Sequence, residues 1–156
     1  MRIVLASDHV GRDLKLAIAS VISGDDHDLL DIGTEAEEWV AYPEYAYRAA
    51  SAVAAGDADR AILVCGGGVG MAIAANKVAG VRAVAASEPY SAVLSREHQD
   101  TNVLALGATA VAPEMAGMIV TQWLDAAYDG GIFDKSLAMI RDMEQSDWPV
   151  AGSLGG

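Results

Sequence analysis

Cys65 is the only cysteine of the chain. It closes an apolar run and stands directly before three glycines, in AILVCGGGVGMAIAANK (61–77). A thiol in that place has two readings. It packs as a small hydrophobe at a strand end, or it works as a thiolate that attacks carbon or takes a proton from it. Gly66, Gly67, Gly68 and Gly70 let successive N–H groups turn toward one point, and a helix expected to start near Val69 adds its own. Such a nest suits a phosphate, a carboxylate or a developing enediolate. The spacing is not a dinucleotide fingerprint, because counting from Gly66 puts Met71 at the third glycine position. Nor is it a phosphate-binding P-loop, since no Gly-Lys-Ser/Thr follows. A glycine-rich turn for close strand–helix packing is the plain alternative.

Other polar residues stand where chemistry would need them. Asp8 and His9 follow the first apolar run in ASDHVG; Ser87 and Glu88 follow another in SEPY; His98, Asp100 and Asn102 lie in SREHQDTN. Each also has a structural reading. Asp8 can cap a helix that begins near Gly11. His98 is a favourable residue at a helix end. GRDLK and SREHQ read as charged helix surface, and the acidic stretch 35–38 as solvated loop. Zinc is not expected: with one cysteine, His9, His27 and His98 show no paired spacing.

These residues need elements to hold them. RIVLA (2–6), LLDI (29–32), AILVC (61–65), VRAVAA (81–86) and NVLALG (102–107) read as strands. Several are apolar at consecutive positions, as in parallel strands covered on both faces. Leu14, Ala17, Ile18, Val21 and Ile22 form a helical stripe; so do Tyr42, Tyr45, Ala46, Ala49 and Val53, and Met71, Ala74, Ala75 and Val78. Ser87 reads as the N-cap of a helix over 88–97, with Pro89 in its first turn. Helices over 112–128 and 133–145 complete the series. The alternation implies an α/β fold, a parallel sheet with helices on both faces. Ligands of such folds sit beyond the carboxyl ends of the strands, where Asp8, Cys65 and the glycines fall. The loops carrying His98, Asp100 and Asn102 are expected at that same edge. Residues 1–145 read as one domain and SDWPVAGSLGG (146–156) as a poorly ordered tail.

Composition narrows the partners. The chain has 156 residues, 53% of them hydrophobic, and a formal net charge of −12 from 10 Lys and Arg against 22 Asp and Glu. That charge disfavours nucleic acid and anionic membranes. No run approaches the roughly 18 apolar residues of a membrane span. One cysteine and no signal-peptide pattern point to a reducing cytoplasm.

Together these blocks resemble the type B ribose-5-phosphate isomerases and the related galactose-6-phosphate isomerase subunits. The likeness rests on ASDHVGRDLK, DIGT, YPEYA, ILVCGGGVGMAIAANKVAGVRAV, SEPYSAVLSREH, DTNVLALG and YDGG. It implies a Rossmann-like three-layer α/β/α sandwich with a five-stranded parallel sheet, working as a homodimer or a tetramer of dimers. The site would lie at the subunit interface and need no metal or cofactor. Cys65 would be the base that moves a proton between C1 and C2 of a sugar phosphate. Gly66, Gly67, Gly68, Val69 and Gly70 would bind the enediolate, with Asp8, His9 and Tyr42 on the substrate. His98, supplied by the partner subunit, would open the sugar ring, and Gln99 would lie beside it.

Three features depart from the family. Gly67 replaces a loop threonine, Gln99 replaces an asparagine, and Ile132 and Ser136 replace a pair of arginines that grip the phosphate. Arg12 and Lys135 are the candidate anion contacts in their stead. Ribose 5-phosphate is the first substrate expected. Another phosphosugar, an unphosphorylated sugar, a non-catalytic sugar-binding relative and a thiol redox or acyl-transfer enzyme are the alternatives.

Overall fold

The computed structural model describes residues 1–24 and 27–145. The tail expected over 146–156 lies outside the described residues. Five parallel strands form one sheet in the order β2-β1-β3-β5-β4. They are β1 (Arg2–Ser7), β2 (Asp28–Asp31), β3 (Arg60–Cys65), β4 (Ala83–Ala85) and β5 (Val103–Gly107). The helices are α1 (Arg12–Ile22), α2 (Tyr42–Ala54), α3 (Val69–Ala75), α4 (Pro89–Gln99), α5 (Pro113–Asp125) and α6 (Asp134–Glu144), the last preceded by a 3-10 turn at Gly131–Phe133.

Alternate residues of each central strand face opposite layers. Ile3, Leu5, Ile62, Val64, Leu104 and Leu106 pack with α1, α4 and α5 around the buried Trp123. Val4, Ala6, Ala61, Leu63, Cys65 and Ala105 face α2 and α3, whose buried residues are mostly alanines. Small side chains let these two helices lie close to the sheet on the face that carries the thiol.

Several elements differ from the sequence expectation. β4 is three residues long, not six; Val81 is buried in the loop before it. α3 stops at Ala75, so Val78 is outside it. The N-cap of α4 is Glu88, not Ser87: its carboxylate accepts the N–H groups of Tyr90 at 2.6 Å and Ser91 at 2.8 Å. These bonds hold the Glu88 carboxyl below its ordinary range, the Ser91 bond most of all. A glutamate one residue on reaches the free N–H groups that Ser87 would have served.

The surface reading of GRDLK and SREHQ is corrected at two residues. The buried stripe of α1 is Leu14, Lys15, Ile18 and Ile22, while Val21 is half exposed. The helix is rotated by about one position from the expected phase, and Lys15 is carried inward. Arg96 is buried too. Each charge is paired, Lys15 with Asp31 and Arg96 with Asp100, which is what burial of an ion requires. The stretch 35–38 is exposed, as expected.

Candidate active site

The carboxyl ends of β1 and β3 meet where the thiol sits. The Asp8 N–H donates to the Val64 carbonyl at 3.2 Å, which ties the residue after β1 to the residue before Cys65. The buried Asp8 carboxylate accepts the Gly11 N–H at 2.9 Å. The capping reading of Asp8 is corrected: the N-cap of α1 is Gly11, with no side-chain cap, and the Asp8 bond instead closes the turn ahead of the helix, the turn that holds His9. His9 Nδ1 accepts the N–H of Val40 at 3.3 Å. An N–H donor at Nδ1 leaves the ring proton of neutral His9 on Nε2, as a hydrogen-bond donor.

Cys65 is 5% exposed. Its Sγ accepts the Gly68 N–H at 3.2 Å. The loop is pinned from β5: the Cys65 carbonyl accepts the N–H of Ala108 at 2.8 Å. The Gly66 carbonyl accepts both the N–H and the hydroxyl of Thr109, at 3.0 and 2.7 Å. Gly68 has φ of +76°, a region costly for other residues, and a Cβ there would stand 2.9 Å from the Leu106 carbonyl carbon. Glycine is thus required at this turn.

Tyr42, the first residue of α2, lays its ring on Gly70; a Cβ at Gly70 would come within 2.7 Å of the ring. A cavity of about 210 Å³ opens at this edge, lined by Gly67, Val69, Ser87 and Gly107 among others. Arg12, in the first turn of α1, brings a cation to this edge, 3.9 Å from Glu35. Asp8, His9, Tyr42, Cys65 and the 66–70 loop therefore come together, as the sequence reading required.

His98 does not join them within one chain, and the expectation of a shared edge is corrected. α4 starts after the carboxyl end of β4 and runs back across the sheet, so its last turn reaches the amino edge. There the Gln99 carbonyl accepts Arg82 Nε, and the Asn102 carbonyl accepts the N–H of Ala61 at the start of β3. His98 stacks on Phe133 with centroids 4.2 Å apart. Lys135, in the first turn of α6, follows that ring and is exposed. Gln99 is exposed beside His98. Asp100 and Asn102 serve the fold at this end, by pairing Arg82 and Arg96 and by bonding Gly80 and Arg82.

Sequence reasoning missed Thr109, the stacking of Phe133 on His98 and the grouping of Glu97, His98 and Asp129, whose ligand atoms lie within 4.8 Å of one another. Thr109 follows β5 at its carboxyl end, so the strand-end rule would have found it. The other contacts join segments over 30 residues apart, and no linear spacing shows them.

Comparison with known proteins agrees with this geometry. The family model described as Ribose/Galactose Isomerase matches residues 3–140. Ribose-5-phosphate isomerase B of Escherichia coli is 49% identical over 144 residues, 92% of this chain and 97% of that protein. D-erythrulose-4-phosphate isomerase 2 of Mycolicibacterium smegmatis is 39% identical over 132 residues, 83% of this chain and 87% of its own length. The structure of Clostridium thermocellum ribose-5-phosphate isomerase B superposes with a TM-score of 0.92 at 41% identity, covering 94% of this chain and 99% of that one. With its five-stranded parallel sheet, its thiol and its glycine loop, this chain belongs to the ribose/galactose isomerase family, the aldose–ketose isomerases of sugar phosphates.

Proposed function

We propose that the chain interconverts ribose 5-phosphate and ribulose 5-phosphate, with Cys65 as the base and the site completed by a second copy. Aldose–ketose isomerisation removes a weakly acidic proton beside a carbonyl and returns it one carbon over. A base held within hydrogen-bond reach does the first part. N–H groups aimed at the oxygen where charge develops do the second. The observation that carries the reading is the Gly68 N–H on Cys65 Sγ, which seats the sulfur against the amides of its own loop. With that N–H engaged, those of Gly67, Val69 and Gly70 remain to meet the enediolate. His9, as an Nε2–H donor, would bind a substrate oxygen beside Asp8, and Tyr42 would wall the site.

The partner follows from the distance between edges. Cys65 ends β3 and His98 lies near its start, so one chain cannot present both to one small sugar. Apolar side chains are exposed at both places: Val69 and Ile73 on α3, and Ile132, 85% exposed, next to Phe133. A dimer that joins these patches would bring His98 of one copy to Cys65 of the other. The terminal phosphate would then meet Arg12, His9 and Lys135, with Ile132 making that end of the site less polar.

A second substrate reading has its own support. Relatives named D-erythrulose-4-phosphate isomerases are 38–39% identical, and a tetrose would leave room beside Ile132. Following C2 proton exchange in deuterated water over pentose, tetrose and hexose phosphates and free sugars decides between them. The expected result is fastest exchange with ribose 5-phosphate, absent in Cys65→Ala. Undiminished exchange in that variant rejects the cysteine base. Mixing inactive Cys65→Ala and His98→Ala chains tests the shared site: subunit exchange should restore about a quarter of the activity, since half the dimers then hold one intact site. No recovery after exchange rejects it.

A further inference from the structure

We propose that Lys15 is a positioning residue for this site: it latches the 31–41 segment, and that segment fixes His9 and Tyr42. Lys15 is 0% exposed, and its Nζ lies 2.8 Å from Asp31 Oδ1 and 2.7 Å from Oδ2. The same Asp31 Oδ1 accepts the N–H of Gly33 at 2.9 Å. The chain then passes directly over the ammonium, for a Cβ at Gly33 would stand 2.7 Å from Nζ and 2.8 Å from the Ser7 nitrogen. Thr34 continues the attachment, its N–H donating to the Ser7 carbonyl at 3.1 Å. Ser7 immediately precedes Asp8.

Six residues beyond Thr34, Val40 donates to His9 Nδ1, and two further on Tyr42 covers Gly70. Both contacts belong to one connected stretch, and its upstream anchor is the Lys15–Asp31 pair. Residues 35–39 are exposed, and Glu35 among them reaches Lys15 itself at 4.0 Å and Arg12 at 3.9 Å, long pairings at an exposed carboxylate that add little to the anchor. A buried ammonium without its carboxylate is costly, which makes the pair obligatory while Lys15 is present. Remove the ammonium, and Asp31, whose side chain is 37% exposed, can turn to water and release Gly33. The Val40 bond would then loosen, and His9 would lose the partner that selects its Nε2–H tautomer. The proposal rests on the isomerase reading only in its kinetic consequence.

The test is Lys15→Met, which keeps length and removes charge, with Asp31→Asn as the second variant because its site is partly open to water. The probe is the ¹⁵N spectrum of the histidine rings, with the His9 signal assigned by its loss in His9→Asn. Wild type should show His9 as the Nε2–H tautomer, and both variants should shift it toward a mixture. With the best sugar phosphate, KM should rise about tenfold while kcat changes less than about twofold, as for loss of substrate positioning. A lower Tm with an unmoved His9 signal and unmoved KM would make Lys15 a fold residue only and overturn the proposal. If Lys15→Met does not fold, Asp31→Asn alone decides, by the same two readouts. A shifted His9 signal in a protein that turns over no sugar would uphold the latch and count against the isomerase reading instead.

Discussion

The two edges of the sheet are built on opposite plans. At the carboxyl edge the working groups are one sulfur and a run of amides, and glycines bring backbone against backbone: Gly68 against Leu106, Gly107 against Gly67. At the amino edge side chains do the work. Asp100 binds Arg82 at 2.9 Å and Arg96 at 2.7 Å, Arg96 donates to the Thr101 carbonyl at 2.6 Å, and Trp123 Nε1–H donates to Thr101 Oγ1 at 3.0 Å. Burial, then the charges of Arg96 and Arg82, pull the neighbouring Arg60 guanidinium below its ordinary value. Asp100 itself takes φ of +46° to close α4. The contrast teaches a division of labour. The carboxyl edge leaves open a space that amides can line, and the amino edge makes a stiff platform at the end of the helix that carries His98.

The comparison breaks most visibly if its halves are exchanged. Cys65→Ala should lower kcat/KM by about 10³-fold, within the range for removing a positioned base, and leave Tm nearly unchanged because alanine fits the same alanine-rich face. Asp100→Asn should do the reverse. Asparagine tolerates the left-handed backbone, but Arg96 loses its carboxylate in a buried place. A full loss of that kind costs roughly 3–5 kcal/mol. Asp100 is one-third exposed and water takes over part of its role, so the expected cost is about 2 kcal/mol. Urea titration and steady-state rates on both variants check the pair. Equal effects on stability and rate in either one would erase the distinction between the edges.

The carboxyl edge was also the more legible in the sequence. Cys65, the glycines, Asp8 and His9 can be placed because strands announce themselves by apolar runs, and a parallel sheet sends every strand's end to one side; Tyr42, on a helix, is placed only by the family resemblance. His98 was misplaced by the same rule. It ends a helix, and a helix returns the chain to the other side of the sheet. Lys15 was misread because a one-position shift of the stripe cannot be seen in LKLAIASVI, where apolar residues lie on several faces. The Arg82–Asp100–Thr101–Trp123 network was hidden for a different reason. Its members come from three segments, and only the packed fold makes neighbours of them.

A third change sharpens the claim that the carboxyl edge depends on close approach. Gly70→Ala puts a methyl within 2.7 Å of the Tyr42 ring. Two stability effects oppose each other. Alanine in α3 gains about 1 kcal/mol over glycine in helix propensity, and crowding costs about the same or somewhat more. Tyr42 is 39% exposed and can swing outward, so the crowding is relieved by movement. Tm should therefore stay close to wild type while the ring leaves the site, raising KM about tenfold. Tyr42→Phe, which keeps the ring, should not reproduce the rise; if it does, the hydroxyl matters and ring placement does not.

The smallest effect concerns Glu88, which caps α4 at the carboxyl edge and so begins the helix that delivers His98 to the other one. Its carboxyl is held below the ordinary range by the Ser91 bond, and the Tyr90 bond acts the same way. A group whose folded pKa is depressed stabilises the fold above its unfolded value and loses that contribution as pH falls through the folded value. The cap should therefore be fully effective at neutral pH and fade in the acid range, below about pH 4. Glu88→Gln keeps an oxygen acceptor but removes the charge. Its Tm should lie slightly below wild type at pH 7, and the two melting curves should converge as pH is lowered. A gap that stayed constant down to pH 3 would mean that Glu88 acts by shape alone, and that the start of α4 owes nothing to charge.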